Sequence, residues 1–199
     1  GDVIQVYKAN MIIPQIAENL TRSDTLEIPK ECPVCGKPTE VRCVNDVSSL
    51  YCVNEECPAK HVKRFLLFVS RDALNIEGLS EATLEKFIQS GFLREPADMF
   101  HLDSYHDVIV EMDGFGEKSY QRLMASIQKA RKVTLAKLIY SLGILNIGLS
   151  NARLLCQHYR NDLQAMLAAS TEELTAIDGI GPVIAGSFTD YFADEQHRI

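Results

Sequence analysis

Apolar residues recur along this chain with two different periods. The opening stretch, DVIQVYK, alternates apolar and polar positions and predicts a strand. It passes through Ala9-Asn10 into MIIPQI, where Pro14 argues against a central strand beyond Ile13. A chain that opens in a strand, with no partner hairpin before it, reads as a piece of something larger. A polar linker follows, ENLTRSDTLEIPK, and then a segment dense in cysteine. From about Val62 onward the spacing changes to that of helices separated by short glycine turns. The predicted fold class is therefore mainly α, with a short β stretch at the N-terminus.

The helical part repeats itself. Four turns align: Ile76-Glu77-Gly78-Leu79-Ser80, Met112-Asp113-Gly114-Phe115-Gly116, Ile144-Leu145-Asn146-Ile147-Gly148 and Ile177-Asp178-Gly179-Ile180-Gly181. Their fifth positions lie 36, 32 and 33 residues apart, and seven residues beyond each comes Phe87, Leu123, Leu155 or Phe188. That offset predicts the inward face of a following helix. The third position calls for a left-handed backbone, for which asparagine is the best non-glycine substitute. The fourth, apolar, plugs the junction of two helices. The fifth opens the second helix, and glycine there lets a bulky partner approach the backbone. Pro182 falls in a first helical turn, where no N–H is needed.

With 199 residues the chain has room for one large domain or two to three small ones. Its longest apolar candidate, Phe65 to Val69, stops at Ser70-Arg71-Asp72, so no membrane span is predicted. GDVIQVYKAN lacks the basic start and apolar core of a signal peptide. An intracellular protein is expected, and there six cysteines point to metal rather than disulfides. Cys32 and Cys35 form a C-x-x-C pair ending in Gly36, which permits the positive φ of a tight turn. Sixteen residues separate Cys35 from Cys52, and four separate Cys52 from Cys57. Two short-spaced pairs suit tetrahedral zinc; the competing reading is reduced cysteines packed as small hydrophobes. Cys43 reads as a strand residue and Cys156 as core.

A net charge of −7 argues weakly against nucleic acid, but the charge is unevenly spread. Phe115 to Lys137 holds six basic residues against Glu117 alone, and from Asn161 onward seven acids face only Arg198. A positive face on a negative protein is therefore possible. The repeated turn is the helix-hairpin-helix pattern, whose loop amides and second-helix N-terminus form a phosphate-sized anion site. Main-chain donors need little net positive charge. The candidate DNA contacts are Gly78, Gly114, Gly116, Lys118, Gly148, Gly179 and Gly181. The second hairpin, with both glycines, Lys118 and Arg122, is expected to be the strongest. Against this stands the reading of four plain helix C-caps, which gains most at the first turn, where Ser80 replaces glycine beside Glu77, Glu81 and Glu85. The run from His101 to His106 fits a polar helix edge better than a metal site.

A zinc module followed by four such hairpins resembles the C-terminal half of bacterial NAD-dependent DNA ligases. GDVIQVYKANMIIPQI is similar to the end of that family's oligonucleotide-binding barrel, ECPVCG with CVNEECPAK to its zinc finger, and HVKRFLLFVSRDALNIEGLS to its entry into the first hairpin. The resemblance implies residues 1–28 as the end of the barrel domain and linker, 29–61 as a four-cysteine zinc finger, and 62–199 as the helix-hairpin-helix domain. It implies a part that binds nicked duplex DNA in replication and repair within a bacterial cytoplasm, near the nucleoid. An adenylation domain using NAD and magnesium would lie upstream and a BRCT domain downstream. Asn10, Ser80 and Asn146 stand where the family favours glycine. No lysine here lies in the family's Lys-x-Asp-Gly context, so the chain alone is expected to lack ligation chemistry. The alternatives are a helix-hairpin-helix subunit of another repair or recombination enzyme, and a zinc-stabilised protein-interaction module.

Overall fold

The alternating N-terminal stretch folds as a hairpin: β1 (Ile4–Ala9) pairs antiparallel with β2 (Ile13–Asn19), Ala9 facing Ile13 and Lys8 facing Pro14. The strand thus runs on past Ile13, through Pro14. In a two-stranded ladder each strand has an unpaired side, where a missing N–H costs nothing. Asn10 and Met11 take positive φ in the connecting turn. The coordinates are a computed structural model and describe residues 1–23, 27–44, 47–194 and 197. Residues 24–26 of the predicted linker, and Glu195 and Arg198 of the acidic tail, lie outside the described residues.

The chain divides into two compact units, Gly1–Cys57 and Pro58–Ile199. The first also contains a second hairpin, β3 (Thr39–Val44) with β4 (Val47–Cys52). Among its described residues only Cys32 and Cys57 are buried. Val34, Val41, Leu50 and Tyr51 all stay exposed, so the described residues of this unit form no apolar core.

The second unit is helical. It comprises α1 (Pro58–Val69), α2 (Glu81–Gln89), a 3₁₀ segment (Pro96–Tyr105), α3 (His106–Val110) and α4 (Glu117–Ala130). It continues with α5 (Leu135–Ser141), α6 (Leu149–His158), α7 (Leu163–Ala168), α8 (Thr171–Thr175) and α9 (Pro182–Ala193). The four repeated turns join α1 to α2, α3 to α4, α5 to α6 and α8 to α9, and the helices of each pair pack on one another. Phe87, Leu123, Leu155 and Phe188 are all buried, as the sevenfold offset predicts.

The four hairpins pair off. Hairpins one and two share one apolar core, built around Phe65, Phe87, Met99, Leu123 and Ile127. Hairpins three and four share another, around Ile139, Leu155, Met166, Phe188 and Phe192, which also takes in Cys156. Phe115, the plug of turn two, lies 5.6 Å from the ring of Phe87, the inward residue of α2, so this plug packs into hairpin one. No helix among the described residues is long and apolar enough to cross a membrane.

Candidate nucleic-acid interface and cysteine cluster

The four hairpins share one backbone feature at the third turn position. The third turn residues Gly78, Gly114, Asn146 and Gly179 have φ of 92°, 85°, 63° and 85°. All four sit in the left-handed region, where a Cβ crowds the following carbonyl. In turns two, three and four the fourth residue's N–H donates to the first residue's carbonyl: Phe115 to Met112 at 2.9 Å, Ile147 to Ile144 at 3.0 Å and Ile180 to Ile177 at 2.9 Å. Turn one is wired differently. Its Glu77 N–H donates to Ser126 Oγ at 2.9 Å, tying the turn to α4.

The fifth residue then caps the second helix. Gly116, Gly148 and Gly181 have φ of −178°, −77° and −82°, ordinary extended backbone open to any residue. A Cβ added at any of them would meet no atom beyond its immediate neighbours within 4 Å. Neither backbone strain nor internal crowding therefore calls for glycine there. As N-caps these glycines give α4, α6 and α9 no side-chain cap hydrogen bond. The first N–H groups of a helix find no partner within it, and in these three helices the N-cap residue supplies none from a side chain. In α2 the opposite holds, because Ser80 Oγ accepts from Thr83 N–H at 3.2 Å. That helix closes its own N-terminus.

Lys118 and Arg122 are exposed on α4. Turns one and two border a cleft of about 460 Å³, lined by Gly78, Leu79 and Ser80 on one side and by Gly114, Phe115 and Arg122 on the other. Thr83 and Ser119, three residues past the fifth position of each repeat, complete it. The sequence reading did not single out these two hydroxyls; a polar residue at the same offset in both repeats was the available signal. Gly148, Gly179 and Gly181 belong to the second pair of hairpins.

In the first unit, four cysteines converge. The Sγ atoms of Cys32, Cys35, Cys52 and Cys57 all lie within 4.8 Å of one another. Cys32 and Cys57 are 3.9 Å apart and Cys35 and Cys52 3.5 Å. Those spacings match the ~3.8 Å edge of a tetrahedron of sulfurs around one metal ion with metal–sulfur bonds near 2.3 Å. All six cysteines are free thiols. The backbone makes the convergence. Gly36, at φ 66°, closes a turn in which its N–H donates to Cys32 O at 2.9 Å. The β3–β4 register sets Cys52 opposite Thr39, and Asn54 O accepts from Cys57 N–H at 3.3 Å.

The thiols are tuned unequally. The Lys37 N–H holds Cys35 down to about 6, and the N–H groups of Cys35 and Val34 lower Cys32. Burial pushes Cys52 up to about 11. Cys43, exposed on β3, takes no part in the cluster. Among the described residues this is the sole group of three or more such side chains able to hold a metal ion, and neither His101 nor His106 belongs to one.

Comparison with known proteins finds relatives along the whole chain and a known motif in its last third. Residues 137–199 match the family model of the helix-hairpin-helix motif. The whole chain is 55% identical to a protein named DNA ligase from Ruminiclostridium cellulolyticum, covering 100% of this chain and 30% of that protein. The same figures hold for a DNA ligase of Lachnoclostridium phytofermentans. A DNA ligase of Thermotoga neapolitana is 37% identical over 203 residues, covering 100% of this chain and 29% of that protein. The chain spans about 30% of the length of these relatives.

Proposed function

We propose that this chain, which corresponds along its whole length to a stretch of the DNA ligases, is a DNA-binding portion of such an enzyme. It holds duplex DNA by main-chain N–H groups that take backbone phosphates. The observation that carries this reading is the fifth-position glycine. Gly116, Gly148 and Gly181 each open a helix in ordinary backbone, with empty space where a side chain would stand and no side-chain cap from that residue on the N–H groups behind it. A helix N-terminus of that kind presents donors and positive field to an anion. The missing Cβ is what allows a phosphate to come within hydrogen-bond distance.

The second hairpin makes the strongest contact, since Lys118 and Arg122 add long-range attraction to its amides. Ser80 already occupies the equivalent donor in the first. Contacts of this kind fix the protein on the duplex without reading base sequence. The four-cysteine cluster holds zinc, the ion best suited to four thiolates in a tetrahedral site. The parent enzyme would seal nicks in replication and repair, with NAD as adenylate donor, magnesium, an adenylation domain upstream and a BRCT domain downstream in a bacterial cytoplasm. The adenylated lysine would lie outside this chain, which alone is inactive.

Titration of a nicked duplex tests the proposal. Gly116→Leu should weaken binding to all duplex sequences alike, by ~1–3 kcal/mol for one lost charge-assisted contact. Ser80→Leu should matter less, and circular dichroism checks that both variants fold. Affinity should fall with salt at a log–log slope of about −0.9 per phosphate neutralised. Loss of binding in folded Ser80→Leu but not in folded Gly116→Leu would reverse the ranking of the hairpins. If neither change affects binding, the turns are helix caps and nothing more.

A further inference from the structure

The opening residue of each second helix lies in its first turn, where a side-chain charge acts on the helix field. In hairpins three and four it is Leu149 or Pro182. In hairpins one and two it is a glutamate, Glu81 or Glu117. A carboxylate in that place competes with a phosphate for the same donors and the same helix field. Both glutamates are met by a basic side chain from the helix before the turn. Lys63 of α1 reaches Glu81, Nζ to Oε1, at 3.2 Å. His106, which opens α3, reaches Glu117, Nε2 to Oε2, at 3.1 Å.

The two cations differ in kind. Lysine keeps its charge at any physiological pH, whereas histidine changes charge within that range. His106 is also bound on its other side, Nδ1 to Asp107 Oδ1 at 2.7 Å. Both ring nitrogens therefore face carboxylate oxygens, which only accept. Neutral imidazole carries one N–H and can serve one of them; the imidazolium serves both. The ring is further located by Tyr120 of α4, edge-on with centroids 4.7 Å apart. Gln121 Nε2 donates to the other Glu117 oxygen at 2.8 Å, so both carboxylate oxygens are held by side chains.

We propose that His106 is a positioning residue for the second hairpin: as a cation it neutralises Glu117 and holds it back from the N-terminus of α4, so that this hairpin takes a DNA phosphate most tightly when His106 is protonated. The inference rests on the DNA-binding reading above. The groups facing His106 are Asp107 on its own helix, and Glu117 and Tyr120 on α4. Asp103, from the 3₁₀ segment, acts on Tyr120. Asp107 first, and then Glu117, raise the His106 pKa above its ordinary value. As pH rises through that value, one of the two contacts is lost and an uncompensated carboxylate is left beside the phosphate site.

The test is the affinity of the full chain for a nicked duplex at fixed salt between about pH 5.5 and 8.5, across the range where histidine titrates. Wild-type binding should weaken toward high pH by about two- to fivefold more than that of His106→Gln, the scale of one charge at a helix end. His106→Gln should bind weakly throughout. Glu117→Gln should bind tightly throughout, and the double variant should regain that affinity. If the chain binds duplex and His106→Gln leaves the pH profile unchanged, this inference falls alone. If Glu117→Gln weakens binding, the carboxylate helps rather than hinders, and the inference again falls alone. Absence of duplex binding at every pH removes the DNA-binding reading and this one together.

Discussion

Cys43 and Cys52 differ by nine places in the sequence and entirely in their surroundings. Cys43 points to solvent from β3, and Cys52 lies 3.5 Å from the sulfur of Cys35. Cys52→Ser should therefore abolish stoichiometric zinc, measured by elemental analysis of the purified chain, and Cys43→Ser should leave it at one ion. The opposite result would overturn the ligand assignment. That distinction was legible in the sequence, because short-spaced pairs are a local pattern. So was the left-handed third turn position, down to Asn146 as its stand-in. The bridge from His106 to Glu117 was not legible. The two residues are eleven apart and on different helices, and only the angle of α3 against α4 brings them together. Pro14 was hidden for a similar reason: whether proline interrupts a strand depends on which neighbours that strand has.

Among the elements, the repeat gave four equal hairpins, and the fold makes them two pairs. The sequence could not show this, since each turn carries an apolar inward residue at the same offset whichever hairpin it faces. The separation of cores has a measurable effect. Phe188→Ala removes a fully buried ring from the second core and should cost about 3–5 kcal/mol. Phe87→Ala should do the same in the first core. If the cores act separately, amide exchange should accelerate in α6, α8 and α9 with the first change, and in α1, α2 and α4 with the second. Equal acceleration in all helices for either variant would mean one cooperative unit.

For the whole molecule, the two units differ in what stabilises them. Pro58–Ile199 has two apolar cores, whereas Gly1–Cys57 buries only Cys32 and Cys57 among its described residues. In the proposed zinc site the metal substitutes for a core, and its binding energy is folding energy. A strong chelator should therefore collapse the dispersed amide spectrum of residues 30–57 and leave the helical circular dichroism of the remainder nearly intact. Persistence of both after complete zinc removal would show that the metal is dispensable to the fold. Acid should act in the same direction as the chelator, because thiolates must be free of protons to bind the ion. Lowering pH should release zinc and unfold this unit first.

The fifth-position glycines carry a consequence for how this sequence would drift. A library of variants selected only for staying folded should keep glycine, or asparagine as at Asn146, at Gly114 and Gly179, whose left-handed backbone penalises other side chains. It should not keep Gly116, Gly148 or Gly181, which the fold leaves in relaxed backbone and open space. Serine or aspartate caps a helix slightly better than glycine, so the drift would run toward those residues. Ser80 is already in that condition, its hydroxyl sealing the helix it opens.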